Sequence, residues 1–211
     1  MNSINQTLPQ ILAATEYKYQ YKHVSIIVSS FPILNLAIDS IFNPTRDTLI
    51  GSFEIDGFQQ KAGYHLMQKV ERIGKQSLGT VVKTMAYDLP YKFIIHGVFP
   101  DCRYKLPNPQ AYKQCIKQAL SLADFYKMKS ISFPECGIKA LEWPETEAVN
   151  LLTNCFFQWI KANPDSTLSC IILCTKNKHF QSIFVNKIQA LKIAYEGIEY
   201  YQMLDEQSEV Q

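Results

Sequence analysis

The 211-residue chain has no strong excess of charge of either sign: 21 Lys and Arg stand against 19 Asp and Glu, for a net charge of +2. Such a balance provides no long-range positive field, which argues against a general nucleic-acid binder. The chain also lacks a run of 18 apolar residues, so we expect no membrane-spanning helix. Its hydrophobic fraction of 47% is ordinary for a globular protein with a real core.

The first residues, MNSINQTLPQILAATEYKYQYKH, lack the basic segment, apolar stretch and cleavage site of a signal peptide. We therefore expect an unprocessed, cytoplasmic protein. The length predicts one domain over residues 24–198. An irregular, Tyr- and Gln-rich N-terminal arm is expected over 1–23, and a polar, frayed C-terminal tail over 199–211.

The 6 cysteines form no CxxC pair and have no histidine at metal-ligand spacing. Cys170 and Cys174 lie in LSCIILCT, a predicted buried strand where a free thiol acts as a small hydrophobe. Cys136 lies in a predicted loop, where its thiol could be exposed, and a nucleophilic role is disfavoured because no fixed base adjoins it. We expect reduced cysteines, no metal and no cofactor.

Hydrophobic strands alternate with amphipathic helices, without repeats or low-complexity segments. The predicted strands are 24–30, 36–42, 79–87, 92–99, 130–133 and 168–175, and the predicted helices are 58–74, 108–128, 144–163 and 180–198. This alternation predicts a three-layer α/β/α domain with a mixed, largely parallel central sheet. Ligands of such sheets bind at the carboxyl ends of the strands, which directs attention to loops 43–57, 99–108, 134–144 and 175–180.

The chain resembles the macro domain, an ADP-ribose-binding module, over about residues 24–192. The resemblance is carried by four segments in order, namely IDSIFNPTRDTLIGSFEIDGFQQKAG, GTVVKTMAYDLPYKFIIHGVFP, AYKQCIKQALSLADFYKMKSISFPECG and WPETEAVNLLTNCFFQWIKANPDSTLSCIILC. Each segment alone is weak evidence for the family, whereas four segments in order and at compatible spacing make a fairly specific match. The resemblance implies the fold, and it implies ADP-ribose or an ADP-ribosylated protein as the ligand.

The resemblance also places the two phosphate loops and shows where this chain departs from them. In the first loop, Arg46 stands where the family has a second Asn, and Ser52-Phe53-Glu54 replaces a run of glycines after Gly51. The second loop, ECGIKALEW at 135–143, retains one glycine, Gly137. Pro32 stands where the family has an aspartate that contacts adenine. The candidate ligand residues are Asn43, Arg46, Gly51, Ser52, Phe53, Gly137, Ile138 and Lys139.

These substitutions affect phosphate binding directly. Glycine lets backbone N–H groups approach a phosphate with no Cβ between them. A Glu54 carboxylate about 4 Å from a phosphate oxygen would cost about 4 kcal/mol at an effective dielectric of about 20. In one alternative, Arg46, Lys139 and Lys176 compensate, while Phe53 or Trp143 stacks on the ligand. In the other, Phe53 and Trp143 fill the cleft and Arg46 pairs with Glu54.

Asp56 is the candidate catalytic residue, because in hydrolytic relatives an aspartate in this Asp-Gly motif positions the substrate and water. A carboxylate near a helix N-terminus also has a structural explanation, which the sequence favours because Arg46 replaces the partner Asn. Asn43 could bind the ribose or hold the loop, with neither favoured. His96, inside an apolar strand, is predicted to be a core histidine rather than an acid or base.

The sequence therefore predicts a divergent macro domain that binds ADP-ribose, an ADP-ribosylated protein or a related nucleotide weakly or in altered form. Any enzymatic activity would be ADP-ribosyl hydrolysis, with little or none expected. One alternative is a degenerate fold that binds a protein partner through the tyrosines of residues 1–23. Another is an RNA-binding module using Lys61, Lys69, Arg72 and Lys75. A composition suited to an AT-rich genome also fits an effector secreted into a host cell without a cleavable signal.

Overall fold

The computed structural model describes residues 5–15 and 17–209, with side chains described as far as residue 198. The strands are β1 (Gln6–Thr7), β2 (Tyr17–Tyr21), β3 (Val24–Ser29), β4 (Leu36–Ala37), β5 (Ser40–Thr45), β6 (Val81–Met85), β7 (Phe93–Val98), β8 (Ser130–Phe133) and β9 (Cys170–Cys174). The α-helices are α1 (Leu8–Ala14), α2 (Phe58–Ala62), α3 (Tyr64–Ile73), α4 (Pro109–Phe125), α5 (Glu145–Ala162) and α6 (Lys178–Glu209), and Ile33–Asn35 form a 3₁₀ turn.

Seven strands form the central sheet, in the order β2-β3-β9-β8-β5-β7-β6. The five inner strands run parallel, and the two edge strands, β2 and β6, are antiparallel to their neighbours. β1 and β4 form a separate small parallel pair. The prediction of a mixed, largely parallel sheet is confirmed. All five inner strands therefore end at the same edge of the sheet.

Helices cover both faces of the sheet, which gives the predicted three layers. On one face, α4, α5 and α6 contribute Tyr112, Phe156 and Phe184 to a large core cluster. On the other face, α1, α2 and α3 contribute a second cluster with members such as Ile11 and Phe58. The inner strands are hydrophobic on both faces because both faces are covered.

The predicted helix 58–74 is divided in two at Gly63, which ends α2 and begins α3 with φ +84°. A glycine adopts this conformation without the steric cost of a Cβ. Two other helices begin with residues that favour a helix N-terminus. Asn108 caps α4 by accepting the Ala111 N–H at 3.0 Å, and Glu145 and Glu147 lie in the first turn of α5.

The expectation of an irregular arm is wrong for the described residues of 1–23. Residues 8–14 are helical, and β2 pairs with β3 from Tyr17↔Val28 to Tyr21↔Val24. The segment YKYQY alternates with a period of two, so Tyr21 is 1% exposed and its ring lies 4.8 Å from that of Phe157. Residues 1–4 and 16 lie outside the described part of the chain.

Two further boundaries differ from the sequence predictions. The predicted strand 36–42 is two strands, and β5 continues three residues beyond it to Thr45. The backbone of the expected tail is helical, because α6 continues to Glu209, while residues 210 and 211 lie outside the description. Where the domain boundaries fall stays a prediction. Within the described residues, no helix is both long and apolar enough to cross a membrane.

Candidate functional site

A cleft of about 560 Å³ opens at the carboxyl ends of β3, β5, β8 and β9. Its walls come from the loops that follow these strands, together with Lys61 of α2. The lining residues are Phe31–Leu34, Phe53–Asp56, Lys61, Pro134, Glu135, Lys139, Ala140 and Cys174–Lys176. The cleft therefore lies where the parallel topology predicts a ligand site, between the two loops singled out in the sequence.

The first loop, residues 46–57, is fastened by side chains. Gly51 has φ +75°, and its carbonyl accepts hydrogen bonds from Asn43 Nδ2 at 2.9 Å and Thr45 Oγ1 at 3.1 Å. The Ser52 hydroxyl accepts the N–H of Ile55 at 3.1 Å and that of Glu54 at 3.3 Å. Ser52 thus takes up two backbone donors of this loop that would otherwise be available to an anion.

Glu54 crosses from the first loop to the second. Its Oε1 accepts the N–H of Gly137 at 2.9 Å and the N–H of Ala140 at 3.4 Å. Burial raises the pKa of the Glu54 carboxyl to about 7, assisted by nearby Glu135 and opposed by the Gly137 hydrogen bond. The expected Glu54–Arg46 pair is wrong, because the backbone amides of the second loop hold this carboxylate instead.

Arg46 packs against Phe53 rather than against Glu54. The guanidinium carbon of Arg46 lies 5.5 Å from the centre of the Phe53 ring, and the guanidinium carbon of Arg103 lies 5.6 Å from it. Arg103 is fixed by a forked contact with Asp101, with Nε–Oδ1 and Nη2–Oδ2 distances of 2.9 and 2.7 Å. Sequence reasoning missed Arg103, although it lies in the predicted ligand loop 99–108. Phe53 lines the cleft, and the guanidinium groups of Arg46 and Arg103 pack on its ring.

Trp143 does not enter the cleft. Its indole N–H donates to the Pro100 carbonyl at 2.8 Å, and its ring packs edge-on against Tyr112 at 4.8 Å. The expectations that Trp143 fills the cleft or stacks on a ligand are both wrong, because a buried indole finds a better partner in a backbone carbonyl. Phe53 lies on the cleft wall, and the cleft is open.

The rest of the second loop is divided between core and surface. Ile138 is 8% exposed and packs into the larger core cluster, whereas Lys139 is exposed at the cleft. Gly137 has φ +95° and packs beneath the ring of Trp143. Cys136 is fully buried with φ +51°, so the expected exposed thiol is wrong. Burial raises the Cys136 thiol pKa well above its ordinary value, which makes it a poor nucleophile.

Asp56 is exposed on the cleft wall, directly before Gly57, the residue that precedes α2. Asn43 is fully buried beneath the first loop, where it contacts Gly51 and, at 3.2 Å, Nδ1 of His96. This placement favours the loop-holding alternative for Asn43. His96 is also fully buried, and burial lowers its pKa to about 3, as expected of a core histidine.

The cleft carries charges of both signs. Lys61, Lys139 and Lys176 face it as cations, and Glu54, Asp56 and Glu135 as acids. The basic group expected for RNA is divided in the structure. Lys61 lies on α2 at the cleft, Lys69 and Arg72 lie on α3, and Lys75 follows α3. Among the residues with described side chains, no three or more His, Cys, Asp or Glu gather into a possible metal site. The open cleft and its lysines suit an organic anion.

The model of the macro domain family matches residues 42–152, more than half of the chain. The chain belongs to the macro domain family. The matched region includes the first and second loops and the candidate residues on them, from Asn43 to Lys139. The resemblance found in the sequence is therefore confirmed.

Curated relatives of this macro domain include an ADP-ribose glycohydrolase of Xenopus laevis, MACROD2, which is 29% identical over 145 residues. The match spans 67% of this chain and 34% of that protein. A macro domain-containing protein of Methanosarcina mazei is 28% identical over 133 residues, or 62% of this chain and 71% of the relative. The chain thus covers only about a third of the frog glycohydrolase.

Solved macrodomains share the fold. The Oceanobacillus iheyensis macrodomain with ADP superposes with a TM-score of 0.75 at 23% identity, covering 82% of this chain and 95% of that one. The Trypanosoma brucei macrodomain in complex with ADP-ribose gives a TM-score of 0.75 at 19% identity, with 88% and 78% covered. These likenesses establish the three-layer architecture of this macro domain.

Proposed function

We propose that this macro domain binds ADP-ribose, free or attached to a protein, in the cleft between its two loops. The observation that carries the proposal is the open cleft of about 560 Å³ at the strand ends, with Lys61, Lys139 and Lys176 along it. A cleft of this volume is within the range typical of small-molecule sites. The presence of ADP and ADP-ribose in structures of the same fold supports this ligand class.

Binding is weaker than in a loop made of glycines. The N–H groups of Glu54 and Ile55 are bonded to the Ser52 hydroxyl, and those of Gly137 and Ala140 to Glu54. A pyrophosphate must displace these partners before it takes the same donors. The free energy of displacing them is subtracted from the free energy of binding, which lowers the affinity.

Hydrolysis of an ADP-ribosyl bond is slow or absent. Asp56 lines the cleft, but Arg46, at the place of the family's second Asn, packs on Phe53. A carboxylate without a partner to position the substrate supplies only part of the geometry that catalysis needs. The frog relative is described as an ADP-ribose glycohydrolase, and this chain departs from the hydrolytic pattern at Arg46.

Neither alternative gains support from a specific contact. Of the tyrosines considered for a protein interface, Tyr21 is buried against Phe157. The basic residues considered for RNA are divided between α2 and α3. Cytoplasmic location and secretion both stay predictions.

Isothermal titration calorimetry with ADP-ribose tests the binding proposal, with AMP and ribose 5-phosphate as partial ligands. A ligand at about 100 times its Kd stabilises the fold by about 2.7 kcal/mol, so a rise in melting temperature provides a second readout. Binding of ADP-ribose above both partial ligands is expected. Absence of heat and of a melting shift at saturating ADP-ribose contradicts the proposal. Release of ADP-ribose from a mono-ADP-ribosylated protein measures any hydrolysis.

A further inference from the structure

Glu54 makes a contact that ligand binding alone does not explain. Its carboxylate comes from the first loop yet lies on two backbone N–H groups of the second, at Gly137 and Ala140. The donor and acceptor residues are 83 and 86 positions apart in the chain, so the contact bridges the cleft rather than closing a local turn. The same carboxylate lines the cleft.

Two converging N–H groups with one anionic oxygen form the arrangement that a phosphate oxygen takes on a loop. A carboxylate oxygen carries comparable charge and accepts the same hydrogen bonds. Glu54 therefore satisfies these amides from within the protein. It also leaves a negative charge at the position that an incoming phosphate must approach.

We propose that Glu54 is a built-in competitor of the ligand's phosphate, and that ADP-ribose reaches the Gly137 and Ala140 amides only when this carboxylate withdraws or is neutralised. This inference rests on the proposed ADP-ribose binding and names how that binding is regulated. It makes affinity a function of the state of one side chain. The contact is autoinhibitory, because the protein's own acid holds the donors that the ligand requires.

The surroundings of Glu54 determine when it is neutralised. Glu135 and Lys139 face it from the second loop, and Tyr112 of α4 and the Cys136 thiol lie beneath it. Asp56, Lys61 and Lys176 face the same cleft from the first loop, α2 and the segment after β9. Burial and Glu135 outweigh the two hydrogen bonds and Lys139, so the pKa of Glu54 is about 7.

ADP-ribose itself has no group that titrates near neutrality, because both phosphates of its pyrophosphate are diesters and stay ionised. A change in affinity between about pH 6 and about pH 8 therefore reports on the protein. Protonation removes the charge of Glu54 and weakens it as an acceptor. Affinity for ADP-ribose is thus expected to rise as the pH falls.

Calorimetry with ADP-ribose at about pH 6 and about pH 8 tests the inference on the full chain. The wild type is expected to bind about tenfold more tightly at the lower pH, since the protonated fraction of a group with pKa near 7 rises from about 9% at about pH 8 to about 91% at about pH 6. Glu54→Gln and Glu54→Gly are expected to bind equally at both values, and more tightly than wild type at the higher one. Glu142→Gln, exposed in the same loop outside the cleft, is the matched control and is expected to keep the wild-type dependence.

Amide chemical shifts supply an independent readout. In ¹⁵N-labelled wild type without ligand, the Gly137 and Ala140 resonances are expected to titrate with a midpoint near neutrality, and Glu54→Gln is expected to abolish this. A melting curve of each variant verifies that it folds. If one of the two Glu54 variants does not fold, the other still tests the inference.

The outcomes separate the two proposals. Equal wild-type affinity at both pH values, unchanged in Glu54→Gln, overturns the inference and leaves ADP-ribose binding intact. Failure of the wild type and of both folded Glu54 variants to bind at either pH overturns both. Binding by Glu54→Gly alone supports the competitor role in its strongest form.

Discussion

Nδ2 of Asn43 lies 3.2 Å from Nδ1 of His96, and the two residues are direct partners in the pairing of β5 with β7. Since Nδ2 of Asn43 can only donate, Nδ1 of His96 accepts, and the ring hydrogen is on Nε2. That Nε2–H donates to Thr84 Oγ1 at 3.0 Å. The neutral histidine thereby joins β6, β7 and β5, and the second amide hydrogen of Asn43 reaches Gly51 in the first loop.

Removing either end of this buried chain should destabilise the fold. Asn43→Leu leaves His96 Nδ1 without its donor and the Gly51 carbonyl with one donor, Thr45 Oγ1, instead of two. Thr84→Val leaves the His96 N–H without its acceptor. Each is expected to lower the free energy of unfolding by about 1–3 kcal/mol, measured by urea denaturation. The double variant is expected to cost less than the sum, because both changes act on one network. Strict additivity would show that the contacts are independent.

The pH dependence of stability should show two opposing contributions. His96 has a pKa of about 3 when folded and about 6.5 when unfolded, so its contribution is present above about pH 6.5 and is lost as the pH falls towards 3. Glu54 has a folded pKa of about 7 against 4.5 for the free group. Its contribution is present below about pH 4.5 and is lost as the pH rises through 7.

Glu54→Gln should isolate the second contribution. The variant is expected to be more stable than wild type at about pH 8, by up to about 3 kcal/mol, and to lose this advantage by about pH 4.5. Denaturant midpoints measured across this range give the difference curve. Parallel curves for the two proteins would contradict the prediction, because all other titrating groups are common to both.

Two glycines with similar backbone angles allow steric contact to be separated from backbone strain. An added Cβ at Gly137 (φ +95°) would lie 2.8 Å from a Trp143 ring carbon, whereas one at Gly51 (φ +75°) would meet nothing within 4 Å. Gly51→Ala is expected to cost about 1–2 kcal/mol from the left-handed conformation alone. Gly137→Ala is expected to cost about 1–3 kcal/mol more, since Trp143 must move. Equal thermal shifts would show that Trp143 accommodates the methyl group.

The lysines of the cleft should control both affinity and its salt dependence. Lys139→Gln and Lys176→Gln are each expected to weaken ADP-ribose binding about three- to tenfold and to flatten the loss of affinity with added salt. Lys117→Gln, on the exposed surface of α4, is the matched control and should leave both unchanged. Calorimetry at low and high salt measures these effects. A uniform loss in all three variants would indicate a nonspecific charge effect.

Placing the family's Asn at position 46 should give hydrolytic activity if Asp56 can act as the catalytic residue. Arg46→Asn is expected to increase release of ADP-ribose from a mono-ADP-ribosylated protein by about tenfold or more, because an asparagine can hold the substrate in place and a misplaced substrate can slow a reaction by about a hundredfold. Adding Asp56→Ala should abolish the gain. A gain that survives Asp56→Ala would exclude this aspartate as the catalytic residue.

The strands and helices were predictable because strands that are buried on both faces have continuous runs of apolar residues in the sequence, such as those of β3 and β9. The segment Tyr17–Tyr21 was missed because an edge strand buries only part of itself, and its polar residues resemble an irregular arm. The loops of the site were predictable from where parallel strands end. The hydrogen-bond partner of Glu54 could not be predicted, because Gly137 is 83 positions away and a backbone N–H donor leaves no signature in the sequence.

β2 also determines how deletion experiments on this protein must be interpreted. A chain starting at Val24 would present β3 as a bare edge, with unpaired backbone groups along Val24–Ser29 and an empty hollow where Tyr21 meets Phe157. Such an edge is a template for foreign strands. Proteins truncated in this way would therefore self-associate through the exposed edge of β3, which the full chain does not expose. A binding partner of this segment is therefore better tested with point substitutions than with truncations. Substitution of Tyr17, an exposed residue of β2, leaves the strand in place.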